Sequence, residues 1–141
     1  MKLVDANVLL YAINERSARH EAARRWLDEA LGGDETVGFA WLVVLAFVRL
    51  STHPAVFPRP LSTEEAIAVV EDWLAQPGAV VVEPTSGHVA VLGRLLSGAG
   101  TAGNLVNDAH LAALALEHSA EIVSFDADFS RFVGVRWRPP A

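Results

Sequence analysis

Short apolar runs rich in β-branched residues alternate along this chain with longer amphipathic stretches. The short runs predict strands and the long stretches predict helices, because the two elements bury side chains with different periods. Alternation of this kind favours an α/β fold, in which helices cover both faces of a mostly parallel sheet of about five strands. The predicted strands lie near Leu3–Val4, Val37–Phe39, Ala79–Val82, Ile122–Ser124 and Val135–Trp137.

Helix signals fill the gaps between these runs. The stretch Ser17–Leu31 is followed by two glycines, a C-terminal stop signal. Ser62 or Thr63 followed by Glu65 predicts a second helix start. The segment Trp41–Leu50 is apolar nearly all round, so it is either a buried helix or a continuation of the second strand.

Composition limits the kind of protein. The chain has 141 residues, 52% of them hydrophobic, which predicts a single domain spanning residues 1–141. Cysteine is absent, which excludes disulfides, thiolate zinc sites and cysteine nucleophiles. The start, MKLVDANVLL, lacks a signal-peptide pattern, and the longest uncharged apolar stretch, VGFAWLVVLAFV, is too short to span a bilayer. We therefore expect a cytoplasmic protein that does not enter a membrane.

Three aspartates stand where an α/β fold places its ligands. Asp5 and Asp126 directly follow apolar runs, so both are expected at the carboxyl ends of strands, the edge where such sheets bind ligands. Asp108 opens the alanine-rich helix that begins near Leu105. Each acid also has a local explanation, since Asp5 and Asp126 suit turns or helix caps and Asp108 suits the positive end of its helix.

Taken together, the acids favour a metal site. Clustered carboxylates repel one another until a proton or a cation relieves them. Ligands that are all oxygen select magnesium or manganese, and the positions left open on the ion can accept phosphate oxygens and a water nucleophile.

Motifs of other chemistries are missing or weak. The five histidines form no HExxH pair, and no GxxxxGK[ST] phosphate loop occurs. The run GAGTAG at Gly98–Gly103 lacks the preceding strand of a dinucleotide site, so it predicts a flexible connection. His110 and His118 lie on the alanine-rich helix, where packing or surface exposure is expected.

Three segments together resemble a known family: LVDANVLLYA at the start, NDAHLAALALEH around residue 108 and IVSFDADFSRF around residue 126. They are similar to PIN-domain ribonucleases, in particular the VapC toxins of bacterial toxin-antitoxin pairs. The resemblance implies a PIN-like three-layer sandwich that binds Mg²⁺ or Mn²⁺ and hydrolyses RNA. It also implies site residues. Asp5, Asp108 and Asp126 are the catalytic and metal-binding acids, and Asn7, Ser124 and Asp128 support them.

The resemblance extends to partners. It implies a homodimer that associates with a VapB-type antitoxin as part of a type II toxin-antitoxin system. The formal net charge of −6 argues against nucleic-acid binding through bulk positive charge, so local arginines matter more. Arg49 and Arg131 are candidate contacts to RNA or antitoxin, and the apolar stretch Trp41–Phe57 is either an interaction surface or core.

One position departs from the family pattern. The family usually has a glutamate in a pattern like L-x-E-x-x-R after the second strand, whereas LAFVRL here places Ala46 in that slot. No acid lies between Glu35 and Glu64, so one metal is expected rather than two held tightly. The alternative hypothesis is therefore a catalytically weak PIN fold that binds RNA or its antitoxin.

Overall fold

A computed structural model describes residues 1–100 and 103–141 and contains one sheet. Its five strands follow the order β3-β2-β1-β4-β5, and every neighbouring pair is parallel. The strand bounds are β1 (Lys2–Val4), β2 (Val37–Ala40), β3 (Ala79–Val82), β4 (Glu121–Val123) and β5 (Trp137–Arg138). The predicted α/β class and parallel sheet are confirmed, and each predicted strand lies within two residues of an observed one.

Six α-helices are present in the described chain. They are α1 (Ala6–Ile13), α2 (His20–Glu29), α3 (Trp41–Ser51), α4 (Thr63–Leu74), α5 (His88–Ala99) and α6 (Val106–Glu117). None of these helices is long and apolar enough to cross a membrane.

Helices cover both faces of the sheet. All four residues of β2 are buried, and successive strand residues point to opposite faces, so both faces are shielded from water. Leu3 and Val4 on β1 and Ile122 and Val123 on β4 are likewise 0% exposed. Burial on both sides explains why these strands are continuous apolar runs rather than alternating patterns.

Strand register brings distant segments of the chain together at the carboxyl edge. Val4 pairs with Val123 across the β1–β4 ladder, and the Asp5 amide donates to the Val123 carbonyl at 3.0 Å. The residues that follow these two strands therefore lie side by side, although more than a hundred positions separate them along the chain.

Several helix boundaries test the local signals. The Ser62–Glu65 capping box is present at the start of α4, as predicted. Helix α2 begins at His20 rather than Ser17, because the Ser17 hydroxyl accepts the Arg19 amide in a local turn. After α2, a wide turn over Ala30–Asp34 contains Gly33 at φ +116°, a conformation that favours glycine.

Two other segments differ in part from the prediction. Of the two alternatives for the segment from Trp41, the helix is present, but it is only partly buried: Trp41 is 48% exposed and Leu45 is 65% exposed. The predicted flexible connection at Gly98–Gly103 is wrong at its start, because Gly98 and Ala99 form the last turn of α5. Residues 101–102 of that connection lie outside the described residues.

Candidate active site

Asp5 joins β1 to α1 and is held by donors from two elements. Its Oδ1 accepts the Ala6 amide at 2.8 Å, which makes Asp5 the N-cap of α1. Its Oδ2 accepts the Ser124 hydroxyl at 2.7 Å. Burial raises the pKa of Asp5, hydrogen bonds from Ser124 and Ala6 lower it, Asp126 raises it further, and the net shift is upward. The predicted turn role and a position in the acid cluster therefore coexist at this residue.

Ser124 connects the acids to one another. This fully buried residue follows β4, and its hydroxyl accepts the Asn7 side-chain amide at 3.1 Å and the Asp126 backbone amide at 3.0 Å. Asn7 in turn accepts the Phe125 backbone amide at 3.2 Å. These bonds fix the start of α1 against the end of β4 and hold the Asp5 carboxylate in one orientation.

Asp126 begins a short 3₁₀ turn over Ala127–Arg131. Its Oδ1 accepts the Asp128 amide at 2.8 Å, so the predicted capping role is present. Asp128 is exposed and pairs with Arg131 at 3.5 Å. Such an exposed pair contributes little to stability, and both side chains remain available to other partners.

Asp108 lies in the first turn of α6 and faces a cavity of about 530 Å³ that Asp5 also lines. Burial raises the pKa of Asp108 to about 6, with further contributions from the nearby charges of Asp5, Asp126 and Asp128, while Arg131 opposes the shift. The structure therefore brings the predicted acids into electrostatic contact, with two carboxylates on one cavity.

The side chains at the site decide whether it can bind a metal ion. Among residues 1–100 and 103–141, no group of three or more histidine, cysteine or acidic side chains is arranged to hold a metal ion. Asp5 and Asp108 nevertheless fit a hard cation, because magnesium usually takes one or two carboxylates and because burial, together with the nearby acids, makes both charged carboxylates unfavourable until a cation compensates them. Asp126 does not line the cavity, although its charge acts on both other acids.

Helix α3 supplies the cavity wall that the sequence did not reveal. The residues of α3 that line the cavity are Leu42, Val43, Leu45, Ala46 and Arg49, and the rest of the lining consists of Ala6, Asn107, Leu111 and the acids Asp5 and Asp108. A stretch that is apolar nearly all round carries no periodic signal for which face meets a cavity. Ala46, singled out as the missing glutamate, lies on this wall beside the acids, and so does Arg49.

A second polar cluster was also missed. His88 at the start of α5 bonds to the carboxylate of Glu117 through Nδ1 and to His110 Nδ1 through Nε2, the latter at 2.9 Å. His110 was expected to be packed or exposed, and it is instead half-buried and hydrogen-bonded to His88, which comes from a distant position that no spacing rule connects.

Comparison with known proteins defines the class. The sequence model described as PIN domain matches residues 2–135. Ribonuclease VapC37 of Mycobacterium tuberculosis is 62% identical over 142 aligned residues, which cover 100% of this chain and 99% of the relative. The chain therefore belongs to the PIN-domain family, within its VapC ribonucleases.

Solved structures agree on the fold. The crystal structure of Mycobacterium tuberculosis VapC20, described as a sarcin-ricin loop cleaving toxin, matches with a TM-score of 0.70 and 21% identity, covering 96% of this chain and 99% of that one. The structure of VapBC2 from Rickettsia felis, bound to a DNA fragment from its promoter, matches with a TM-score of 0.69 and 19% identity, covering 98% and 97%.

Proposed function

We propose that this chain is the toxin of a type II toxin-antitoxin pair and acts as an endoribonuclease that requires Mg²⁺ or Mn²⁺. The observation that carries the proposal is the pair of carboxylates, Asp5 and Asp108, on one cavity at the carboxyl edge of the sheet. The pKa of Asp108 is raised to about 6 because burial and the neighbouring acids outweigh the opposing charge of Arg131. When bound, a divalent cation would supply a Lewis acid that activates water and offsets negative charge on the scissile phosphate.

The remaining roles follow from the contacts of each residue. Asp5 and Asp108 would hold the cation, and Asp126 would bind it or position the water. Ser124 and Asn7 keep the Asp5 carboxylate pointed toward the site through their hydrogen bonds.

Arginines near the acids would contact the RNA backbone. Arg49 lines the cavity, where its guanidinium is suited to a phosphate group. Arg131 pairs with exposed Asp128, and the two would separate or reorient when a phosphate approaches. RNA recognition through a few local arginines is compatible with the net negative charge of the chain.

We propose a VapB-type antitoxin as the protein partner, since solved structures with a similar fold are VapBC complexes. The exposed apolar side chains Trp41 and Leu45 on α3, next to Arg49, form a candidate contact surface. The other part of the predicted surface is core, because Phe47 and Phe57 are buried. We further propose a homodimer and a cytoplasmic location, where RNA is available.

A second function, RNA or antitoxin binding with weak catalysis, is favoured by one specific observation. Ala46 lines the cavity beside Asp5 and Asp108, so the wall that faces these acids offers a methyl group instead of a third oxygen ligand. Fewer carboxylates mean lower affinity for a divalent ion.

The two functions separate in a cleavage assay with metal control. Wild-type protein is incubated with structured and single-stranded RNA in Mg²⁺, in Mn²⁺ and in EDTA, beside Asp5→Asn and the surface control Asp72→Asn on α4. Asp5→Asn retains a side-chain oxygen that can cap α1, so its loss of activity would report the charge rather than unfolding. We expect cleavage with metal by wild type and Asp72→Asn only. Equal cleavage in EDTA, or by Asp5→Asn, would contradict the proposal.

A further inference from the structure

The cavity beside the acids is lined by both apolar and polar residues. The apolar ones are Ala6, Leu42, Val43, Leu45, Ala46 and Leu111. The polar ones are Asp5, Arg49, Asn107 and Asp108. The volume of about 530 Å³ and the mixture of an apolar wall with a few polar groups are typical of sites that bind small organic groups.

Part of the apolar lining is exposed to solvent. Leu45 is 65% exposed, while Val43 and Leu111 are buried, so the apolar lining includes both surface and core side chains. An occupant of the cavity would remove the exposed surface of Leu45 from water, which favours binding.

Charge restricts what the occupant can be. A wholly apolar group would take water away from the Asp5 and Asp108 carboxylates without giving them a partner, which is unfavourable. A nucleotide avoids this cost, because its phosphate carries a divalent cation toward the acids while its flat base meets the apolar wall. The Asn107 amide offers a donor and an acceptor to the base edge, and the Arg49 guanidinium offers a stacking plane.

We propose that this cavity is a nucleobase pocket, in which Leu42, Leu45 and Ala46 receive the base next to the scissile phosphate. The inference rests on the proposed function and extends it, because it assigns the choice of nucleotide at the cleavage position to α3. The small side chain of Ala46 then has a positive role, since it leaves the space that the base occupies.

The test measures binding without cleavage. Wild-type protein in Mg²⁺ is titrated with AMP, GMP, CMP and UMP and with ribose 5-phosphate, which has the same phosphate and sugar but no base. We expect at least one nucleotide to bind about tenfold more tightly than ribose 5-phosphate, as filling an apolar pocket typically gives. Ala46→Leu fills the pocket and should bring this ratio close to one. The control Ala68→Leu adds the same bulk to an exposed position of α4 and should retain the ratio.

A second variant guards against misfolding of Ala46→Leu. Leu45→Ala removes an exposed part of the wall and should lower the ratio several-fold, whereas Val89→Ala, at an 80% exposed position of α5, should not. A ratio close to one in wild type would overturn the inference even if metal-dependent RNA cleavage is observed. A high ratio that falls in both cavity variants would support the pocket even if RNA is not cleaved. A ratio that both variants leave unchanged, with weaker capture of a co-expressed antitoxin, would assign the cavity to the protein partner and overturn the inference.

Discussion

Two acids on helix α6 have opposite electrostatic environments. Asp108 in the first turn has a pKa raised to about 6 by burial and by neighbouring acids. Glu117 at the last position is also subject to burial, which raises its pKa, but hydrogen bonds from Thr85 and His88 outweigh that effect, and the net shift is downward. The Glu117 side chain is only 3% exposed, yet both of its oxygens have donors.

We propose that this difference separates a structural carboxylate, Glu117, from a functional one, Asp108. Glu117 ties α6 to the start of α5 and to the loop after β3 through Thr85, so its charge is compensated inside the protein. Asp108 faces a cavity with like charges nearby, and the charge of Arg131 opposes their effect without cancelling it. Perturbed acids without internal partners are typical of functional sites.

The largest expected effect is on cleavage. Asp108→Asn keeps the size of the side chain but removes the charge that would hold the cation, so RNA cleavage should fall by about a hundredfold or more. Glu117→Gln serves as the matched change on the same helix and should leave cleavage by the folded protein close to that of wild type. Initial rates on one RNA substrate in Mg²⁺ measure both. If Asp108→Asn cleaves as fast as wild type, Asp108 is only a first-turn acid that stabilises its helix.

The next prediction concerns stability, for which we expect Glu117 rather than Asp108 to matter more. Glu117→Gln weakens charged hydrogen bonds in a buried setting, so the free energy of unfolding should fall by about 1–3 kcal/mol. Asp108→Asn should leave the metal-free protein as stable as wild type or more stable, because it relieves repulsion. Urea unfolding without metal measures both free energies. Loss of stability in Asp108→Asn equal to that in Glu117→Gln would remove the distinction between the two acids.

A third prediction uses pH. A carboxyl whose pKa is higher in the folded state than in the unfolded state loses stability as pH rises from the unfolded value, 3.8, toward the folded value of about 6. The full shift corresponds to about 3 kcal/mol, which solvent screening at this partly exposed side chain reduces to about 1–2 kcal/mol. Unfolding without metal, measured from pH 4 to pH 7, should show this loss as the difference between wild type and Asp108→Asn, because the lowered pKa of His110 raises stability with pH over the same range in both proteins.

The same unfolding measurements in two variants assign the pH dependence to a particular residue. Asp108→Asn should show a smaller loss of stability over this range. The raised pKa of Asp5 should account for the loss that remains. Glu117 has a lowered pKa, so its stabilisation is lost only as pH falls, and Glu117→Gln should retain the wild-type loss between pH 4 and pH 7. Identical profiles for wild type and Asp108→Asn would mean that Asp108 is not the titrating group.

The smallest predicted effect is a gain of metal affinity. Ala46→Glu adds a carboxylate to the cavity wall beside Asp5 and Asp108, so the affinity for Mn²⁺ should rise several-fold. Ala68→Glu on the exposed face of α4 is the control for added charge. Calorimetric titration measures both. Unchanged or weaker binding in Ala46→Glu would show that position 46 does not point toward the bound ion.

Those features that depend on neighbouring residues in the chain were predictable. Asp5 and Asp126 follow apolar runs, and strand ends place them at one edge once the sheet is parallel. The Ser62–Glu65 capping box is a local motif that forms the same contacts in any helix start. Strand ends varied by one or two residues, because the pairing register rather than the apolar run decides where a ladder stops.

Features that depend on tertiary contacts were not predictable. The Ser124 hydroxyl reaches Asp5 only because β1 and β4 are neighbours, and the resemblance to a family, not spacing, pointed to that residue. The partnership of His88 with Glu117 requires α5 and α6 to pack as a hairpin. The cavity wall on α3 was hidden because an apolar segment gives no indication of the face that it leaves open.

The central claim, that Asp5 and Asp108 bind a divalent cation, is tested most directly by titrating metal-free protein with Mn²⁺ in a calorimeter. Wild type and Asp5→Ala are compared, with Asp5→Asn included to separate loss of charge from loss of the α1 cap. The account predicts saturable binding in wild type that is abolished in Asp5→Ala and greatly weakened in Asp5→Asn. Equal Mn²⁺ affinity in wild type and Asp5→Ala would contradict it.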